Sequence, residues 1–343
     1  MEQWCIQQGR SLGATVTDRI SRPTFACKIV KEANWKTCLD CRHFFSARQR
    51  HVTERDRHPA GVVVDRNGAE AGVADLYRGA GVFLVLGGAS AVELPLGLLK
   101  ARGIATMSVN NCPAVLPPLM KPTIWLHTDK ACKFHTSIWM DPAILKIIPT
   151  AEKGRKLHRR RDGVFEELDV TPADMPGTLF FNRNTTFNPD TWLYEPTINR
   201  GNSKKDAAKN RLPHTINTMF AALRLAFYLG FHRVYLVGCD FKMQPWQPYG
   251  FKQAKHAGGC ESNNNAYKNM QLMFDMLAPR FAEVGFEVYN VTPGSDLKTF
   301  PFMRIRDAVN RETLDIDQEL DTDGWYEHTD REGNDGCSGS DAA

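Results

Sequence analysis

No apolar run in the chain approaches the length needed to cross a bilayer, and the first residues, MEQWCIQQGR, lack a basic stretch followed by an apolar one. Both absences predict a soluble, cytoplasmic protein with no membrane partner. Without a secretory signal, the nine cysteines point to reduced thiols or metal ligands rather than a disulfide frame. The glycine stretch at 87–90, GGAS, lacks the Gly-Lys-Ser/Thr ending of a phosphate-binding Walker loop, and no full GxGxxG dinucleotide fingerprint occurs. Neither P-loop chemistry nor an ordinary dinucleotide site is therefore indicated.

What is present is enough apolar material for a large core: 343 residues, 42% hydrophobic, suit one sizeable α/β domain with appendages. Charge is distributed unevenly. Residues 312–343 hold eleven Asp and Glu and one Arg, leaving residues 1–311 with 42 basic and 28 acidic groups, a net of +14. The tail, 312–343, reads as acidic and disordered. The basic body suits an anionic partner, a nucleotide or a nucleic acid, and a solvated surface shows the same excess.

The most informative stretch is His214 to Lys242, HTINTMFAALRLAFYLGFHRVYLVGCDFK. Met219, Phe220, Leu223, Leu225, Ala226 and Leu229 recur at helical spacing, with Thr218 and Arg224 on the other side. Gly230 follows as a cap, and Val234 to Val237 is a short β-branched run ending at Gly238 and Asp240. A helix feeding a nearly all-apolar strand predicts a mostly parallel sheet with helices on both faces. Ligands of such sheets lie beyond the strands' carboxyl ends, which places Asp240 and Lys242 where chemistry is expected.

Three further strands are predicted at Val82–Leu86, Ile104–Val109 and Pro122–Leu126, followed respectively by Gly87-Gly88-Ala89-Ser90, by Asn110-Asn111 and by His127-Thr128-Asp129. A helix is expected over Leu94–Arg102, so that the glycine loop and a helix N-terminus would meet a phosphate. Asn110 and Asn111 suit a base or sugar; Asp129 suits a sugar hydroxyl or a metal. Asn and Asp also close turns for purely structural reasons. Residues 61–80 read as a connector, and 202–211 as a polar loop. The segment 151–163, with six Lys or Arg and one His, reads as a flexible loop able to track nucleic-acid phosphates through 153–161, or as a solvated lid. Residues 242–266, with Trp246, Tyr249, Phe251 and His256, read as a lid over a site, and a helix is expected from Tyr267 to Phe281.

Residues 1–60 form a separate Cys/His module. Cys38 and Cys41 have the two-residue gap with which two thiolates grip one tetrahedral ion, and Cys27 or His43 can complete a structural zinc site. Ordinary reduced cysteines are the alternative.

The order of glycine loop, asparagine pair, helix, LGFHRVYLVGCDF and tyrosine-bearing lid resembles the Rossmann-type bacterial sialyltransferases and the related hydroxymethylpterin pyrophosphokinase-like proteins, including phage glycosyltransferase-like members. The resemblance spans roughly residues 82–302 and implies a variant Rossmann-like catalytic domain over 61–311. It implies that Gly87, Gly88, Ser90, Asn110, Asn111 and Asn217 or Thr218 hold a nucleotide-sugar donor. It further implies that Tyr249 and Lys242, the latter where the family has a second tyrosine, hold the donor phosphate. The family's general-base histidine has no aligned counterpart; Glu261 stands nearest that slot and His256 five residues upstream, and either can deprotonate an acceptor hydroxyl. The reading is an inverting glycosyltransferase with a polyanionic acceptor, such as hydroxymethylated bases of phage DNA. Its alternatives are a pterin-type pyrophosphokinase, which needs an acidic Mg²⁺ cluster where only Asp129 and Asp240 stand, and a non-catalytic nucleic-acid-binding protein.

Overall fold

A computed structural model of the chain describes residues 3–5, 10–11, 44–46, 58–161, 164–253 and 259–316. Its centre is an eight-stranded sheet built, in chain order, from β1 (Val63–Val64), β2 (Gly81–Val85), β3 (Ala105–Val109), β4 (Ile124–Leu126), β5 (Leu145–Pro149), β6 (Thr178–Phe181), β7 (Arg233–Val237) and β8 (Glu287–Asn290). The spatial order is β8-β7-β2-β3-β4-β5-β6-β1, and every neighbouring pair is parallel except β6 and β1. From β2 the chain steps outward through β6, then returns to lay β7 against the opposite side of β2. That reversal opens a crevice at the carboxyl ends of β2 and β7, where α/β sheets bind ligands.

The strands are nearly continuous apolar runs because both faces are covered. Val82 and Leu84 face a core shared with the helices α3 (Thr218–Tyr228) and α4 (Gly259–Glu283). Phe83 and Val85 face the opposite layer, completed by Leu96, Leu99 and the helix α5 (Ile305–Thr313). A third cluster packs Trp125, Ile148 and Phe180 against Trp139 of α1 (Thr136–Met140). The α/β class with helices on both faces is therefore present as predicted.

Several local expectations are corrected. Residues 61–80 are not merely a connector, since they supply the edge strand β1. No α-helix spans Leu94–Arg102; the segment holds one five-residue 3-10 turn, Leu96–Lys100, separated from another at Ala89–Glu93 because Pro95 disfavours helical geometry at Leu94, which is extended. Arg224 does not face solvent. It is fully buried on α3, donating from Nη2 to the Glu195 carbonyl at 2.7 Å, and burial brings its guanidinium down to about 10. The polar stretch 202–211 contains the helix α2 (Lys204–Asn210), capped by Ser203.

The basic segment 151–163 is not a loose loop. His158–Arg161 and Val164–Glu167 pair antiparallel, which sets His158 and Arg159 opposite Glu167 and Glu166. Arg159 pairs with Glu166 at 2.7 Å, Lys156 with Asp169 at 3.3 Å and Arg155 with Glu152 at 3.2 Å.

At the carboxyl end of the body, α5 carries through Glu312, so that residue belongs to the core and not to a tail. Its carboxylate accepts from Arg233 at 2.5 Å, from the Tyr235 hydroxyl at 2.7 Å and from the Gly81 amide at 2.8 Å. A Cβ on Gly81 would lie 2.4 Å from the Glu312 side chain, which is why β2 begins with glycine. The short N-terminal strands Gln3–Cys5, Arg10–Ser11 and Phe44–Ser46 form a small antiparallel sheet. Cys27, Cys38, Cys41 and His43, and the segment 317–343, lie outside the described residues.

Candidate functional site

The crevice is assembled from the ends of four strands. At its β2 side, Gly87 and Gly88 let three segments approach one another closely. A Cβ on Gly88 would sit 2.5 Å from the Gly238 carbonyl and 2.7 Å from the Asp240 carboxylate; one on Gly87 would sit 3.0 Å from the Phe251 ring. The Gly88 amide donates to Gly238 at 2.9 Å, and Asp240 accepts from the Ser90 amide at 3.1 Å and from the Ser90 hydroxyl. Asp240 thus ties the β2 loop to the β7 loop.

This arrangement corrects the phosphate-cradle expectation. The amides of Gly88 and Ser90 are already engaged, one of them by a carboxylate, and no α-helix N-terminus stands behind them. The glycines serve close packing of two loops instead.

At the β3 end, Asn110 adopts a left-handed conformation, φ 49°. Its amide donates to the Leu126 carbonyl at 3.0 Å, its carbonyl accepts from the Trp125 indole at 2.8 Å, and its side chain donates to the Thr218 hydroxyl at 3.3 Å. The Asn110 Oδ1 is buried with no hydrogen-bond partner. Thr218, the first residue of α3, also shares a 2.8 Å hydrogen bond with the Thr128 hydroxyl beyond β4. Asn217 accepts from the Met219 amide at 2.9 Å and so acts as the N-cap of α3, setting Thr218 at the crevice.

His127, between Trp125, Phe134 and Trp139, is fully buried; its Nδ1 lies 2.9 Å from the Asp129 carbonyl and its Nε2 has no partner. Burial drives its pKa down to about 3, so the ring is neutral and Nδ1 donates. Asp129 is half-exposed. Its carboxylate is held below the usual range, against the cost of burial, by Lys133 at 2.6 Å and the Lys130 amide at 2.8 Å.

The segment after Asp240 crosses the crevice. The Gly250 amide donates to the Gly87 carbonyl at 3.1 Å, Tyr249 stacks on Phe251 with centroids 5.3 Å apart, and Asn111 donates to Gln253 at 3.0 Å. Its start is fixed to α4, where Asn264 accepts from the Met243 amide at 2.8 Å and donates to the Met243 carbonyl at 3.1 Å. The asparagine run expected to be lid is thus the opening of α4. Tyr267 of α4 stacks on Phe241, and burial raises its hydroxyl pKa.

The structure therefore brings Gly87, Gly88, Ser90, Asn110, Asn111, Thr218, Asp240 and Tyr249 into one contact-linked crevice. It does not bring Lys242 there as a free cation, since Nζ donates to the Gly294 carbonyl at 2.7 Å and lies 3.7 Å from Asp296. Glu261 is exposed on the first turn of α4. His256 lies outside the described residues.

Two residues escaped the sequence reading. Arg183 and Arg200 both donate from Nη1 to the Thr128 carbonyl, the latter at 2.9 Å. They sit in separate polar stretches with no periodicity, and only the folded chain sets them side by side. Among the described residues no group of three or more His, Cys, Asp or Glu side chains is placed to share a metal ion, and no helix is long and apolar enough to cross a membrane.

No protein-family model matches the chain, and neither does any curated protein. Among solved structures, it is similar to the sialyltransferase CstII from Campylobacter jejuni in complex with a substrate analogue, cytidine-5'-monophosphate, at 13% identity over 66% of this chain and 85% of that one, with a TM-score of 0.37. The same enzyme with a trisaccharide acceptor and CMP gives 14% identity over 65% and 85%, with a TM-score of 0.35. Likeness at this distance is too slight to carry residue roles from one chain to another.

Proposed function

We propose that the chain is a glycosyltransferase taking its sugar from a nucleotide-sugar donor bound at the β2–β7 crevice. The observation that carries the reading is the convergence of the Gly87 loop, Asn110 and Thr218 beneath the segment 249–253, at the reversal of strand order. A donor held there would have hydroxyl and amide groups along a wall and an aromatic pair, Tyr249 on Phe251, against which a base or sugar can stack. Asn110, with an unpaired acceptor and an uncommon backbone geometry, is the residue on which donor orientation depends.

Inverting transfer needs a base at the acceptor hydroxyl and stabilisation of the departing phosphate. The base is assigned to His256 or to Glu261, the latter exposed on the first turn of α4. A pterin-type pyrophosphokinase fits less well, because Asp129 is engaged by Lys133 and Asp240 by Ser90. The pairing of Arg159 with Glu166 and of Lys156 with Asp169 weighs against DNA as the preferred acceptor.

The test is to incubate the protein with a panel of nucleotide sugars, with oligosaccharides and hydroxymethylated DNA as acceptors, and to follow nucleotide release and acceptor mass. Transfer with one donor is expected, falling about 100-fold or more in whichever of Glu261→Gln and His256→Ala removes the base, and about tenfold or more in Asn110→Ala. No transfer from any donor, together with ATP-dependent diphosphoryl transfer, would overturn the reading.

A further inference from the structure

Two guanidiniums directed at one carbonyl fill both of its lone pairs and leave further N–H donors over. Arg183 and Arg200 each place Nη1 on the Thr128 oxygen, and the Arg200 Nε is buried with no hydrogen-bond partner. Among the described residues neither forms a close ion pair with a carboxylate; Asp129, whose charge acts on Arg200, is bonded to Lys133. Burial and the neighbouring Arg183 charge hold Arg200 below the usual guanidinium range, with Asp129 only partly offsetting them, and a buried donor without an acceptor is costly.

The scaffold nevertheless holds them there. Arg183 begins a two-residue strand, Arg183–Asn184, paired in parallel with Ile198–Asn199. The Arg200 amide donates to Asn184 at 3.2 Å, and its carbonyl accepts from Asn217 at 2.9 Å. Behind them Asn199, fully buried, donates to Asn184, to the Thr186 carbonyl and to the Gly201 carbonyl. Through Asn217 the same framework caps α3, which carries Thr218 into the crevice. A rigid polar mount that brings two planar forks to the end of β4 has the form of a receptor for an oxyanion.

We propose that Arg183 and Arg200 form an oxyanion-binding site at the edge of the crevice, taking the phosphate or carboxylate of the substrate. As a phosphate site this deepens the glycosyltransferase reading and rests on it: the leaving nucleotide would be gripped by the arginine pair, since Lys242 is bonded to Gly294 and the Gly88 and Ser90 amides are engaged. As an oxyanion site it stands on its own geometry.

The experiment is calorimetric titration of the full chain and of its R183Q, R200Q and R200K variants with three probes: the four nucleoside monophosphates, the corresponding nucleosides, and glucuronate. Thermal midpoints of the variants monitor folding. The expected result is that R183Q and R200Q each weaken binding of one monophosphate about tenfold or more while leaving its nucleoside unchanged, with R200K intermediate. Loss of glucuronate binding alone would locate the carboxylate as the ligand and keep the site, though not the nucleotide reading. Binding of monophosphate and of glucuronate both unaffected in folded R183Q and R200Q would overturn the site while leaving the glycosyltransferase reading intact. Failure of the wild-type chain to bind any of the three would overturn it outright.

Discussion

At Gly88 the absence of a side chain is a condition of the site. The Gly238 carbonyl and the Asp240 carboxylate occupy the space a methyl group would need, at 2.5 and 2.7 Å. Gly88→Ala must push the β2 and β7 loops apart and strain the clamp between Asp240 and Ser90. A loss of about 1–3 kcal/mol in urea unfolding is expected. Gly97→Ala, where nothing lies within 4 Å, should stay within about 0.5 kcal/mol and serves as its control. Equal stability of both variants would show that the loops are not in contact.

Among the elements, α4 does more than pack. Its first turns hold the crossing segment through Asn264, whose side chain makes both a donor and an acceptor bond with the Met243 backbone. With about 1 kcal/mol for each bond, Asn264→Ala should raise the hydrogen-exchange rate of amides over 243–253 by roughly 5–30-fold. Exchange over β7 should be unchanged. A variant in which the crossing segment keeps its protection would place its anchor elsewhere. The cap of α3 works by the same logic: Asn217 spends its side chain on Met219, so its part in the crevice is to position Thr218.

For the molecule as a whole, buried ionisable groups set the pH response. His127 has its pKa pushed from 6.5 to about 3 by burial, so between those values the unfolded chain binds a proton that the folded chain does not. Stability rises with pH wherever the unfolded state holds more protons, so this group's contribution is lost as pH falls below 6.5 and levels off near 3. Its slope approaches about 1.4 kcal/mol per pH unit inside that window. In His127→Asn, whose amide can still donate to the Asp129 carbonyl, urea midpoints measured from pH 7 to pH 4 should fall less steeply. Identical slopes in the two proteins would mean that the ring reaches solvent.

Much of the architecture was legible in the chain itself. Strands β2, β3, β4 and β7 and helix α3 announced themselves through apolar runs and 3.6-residue spacing, because a segment covered on both sides can carry few polar residues. Glycines and asparagines after those strands marked where the crevice would lie. What local pattern could not decide was which polar groups would be paired off. Asp240, Lys242, Asn217 and the basic run near 158 each carry groups suited to a ligand, yet folding supplies partners: the remote Ser90 for Asp240 and Gly294 for Lys242, and the nearer Met219 for Asn217 and Glu166 for Arg159. Arg224 and Glu312 look like surface residues in sequence and lie in the core, since their partners are remote in the chain. Hydrophobic burial is written along each segment, whereas the satisfaction of a charge or a hydrogen bond depends on whatever folding brings beside it, and for Arg183 and Arg200 only the assembled sheet makes that meeting.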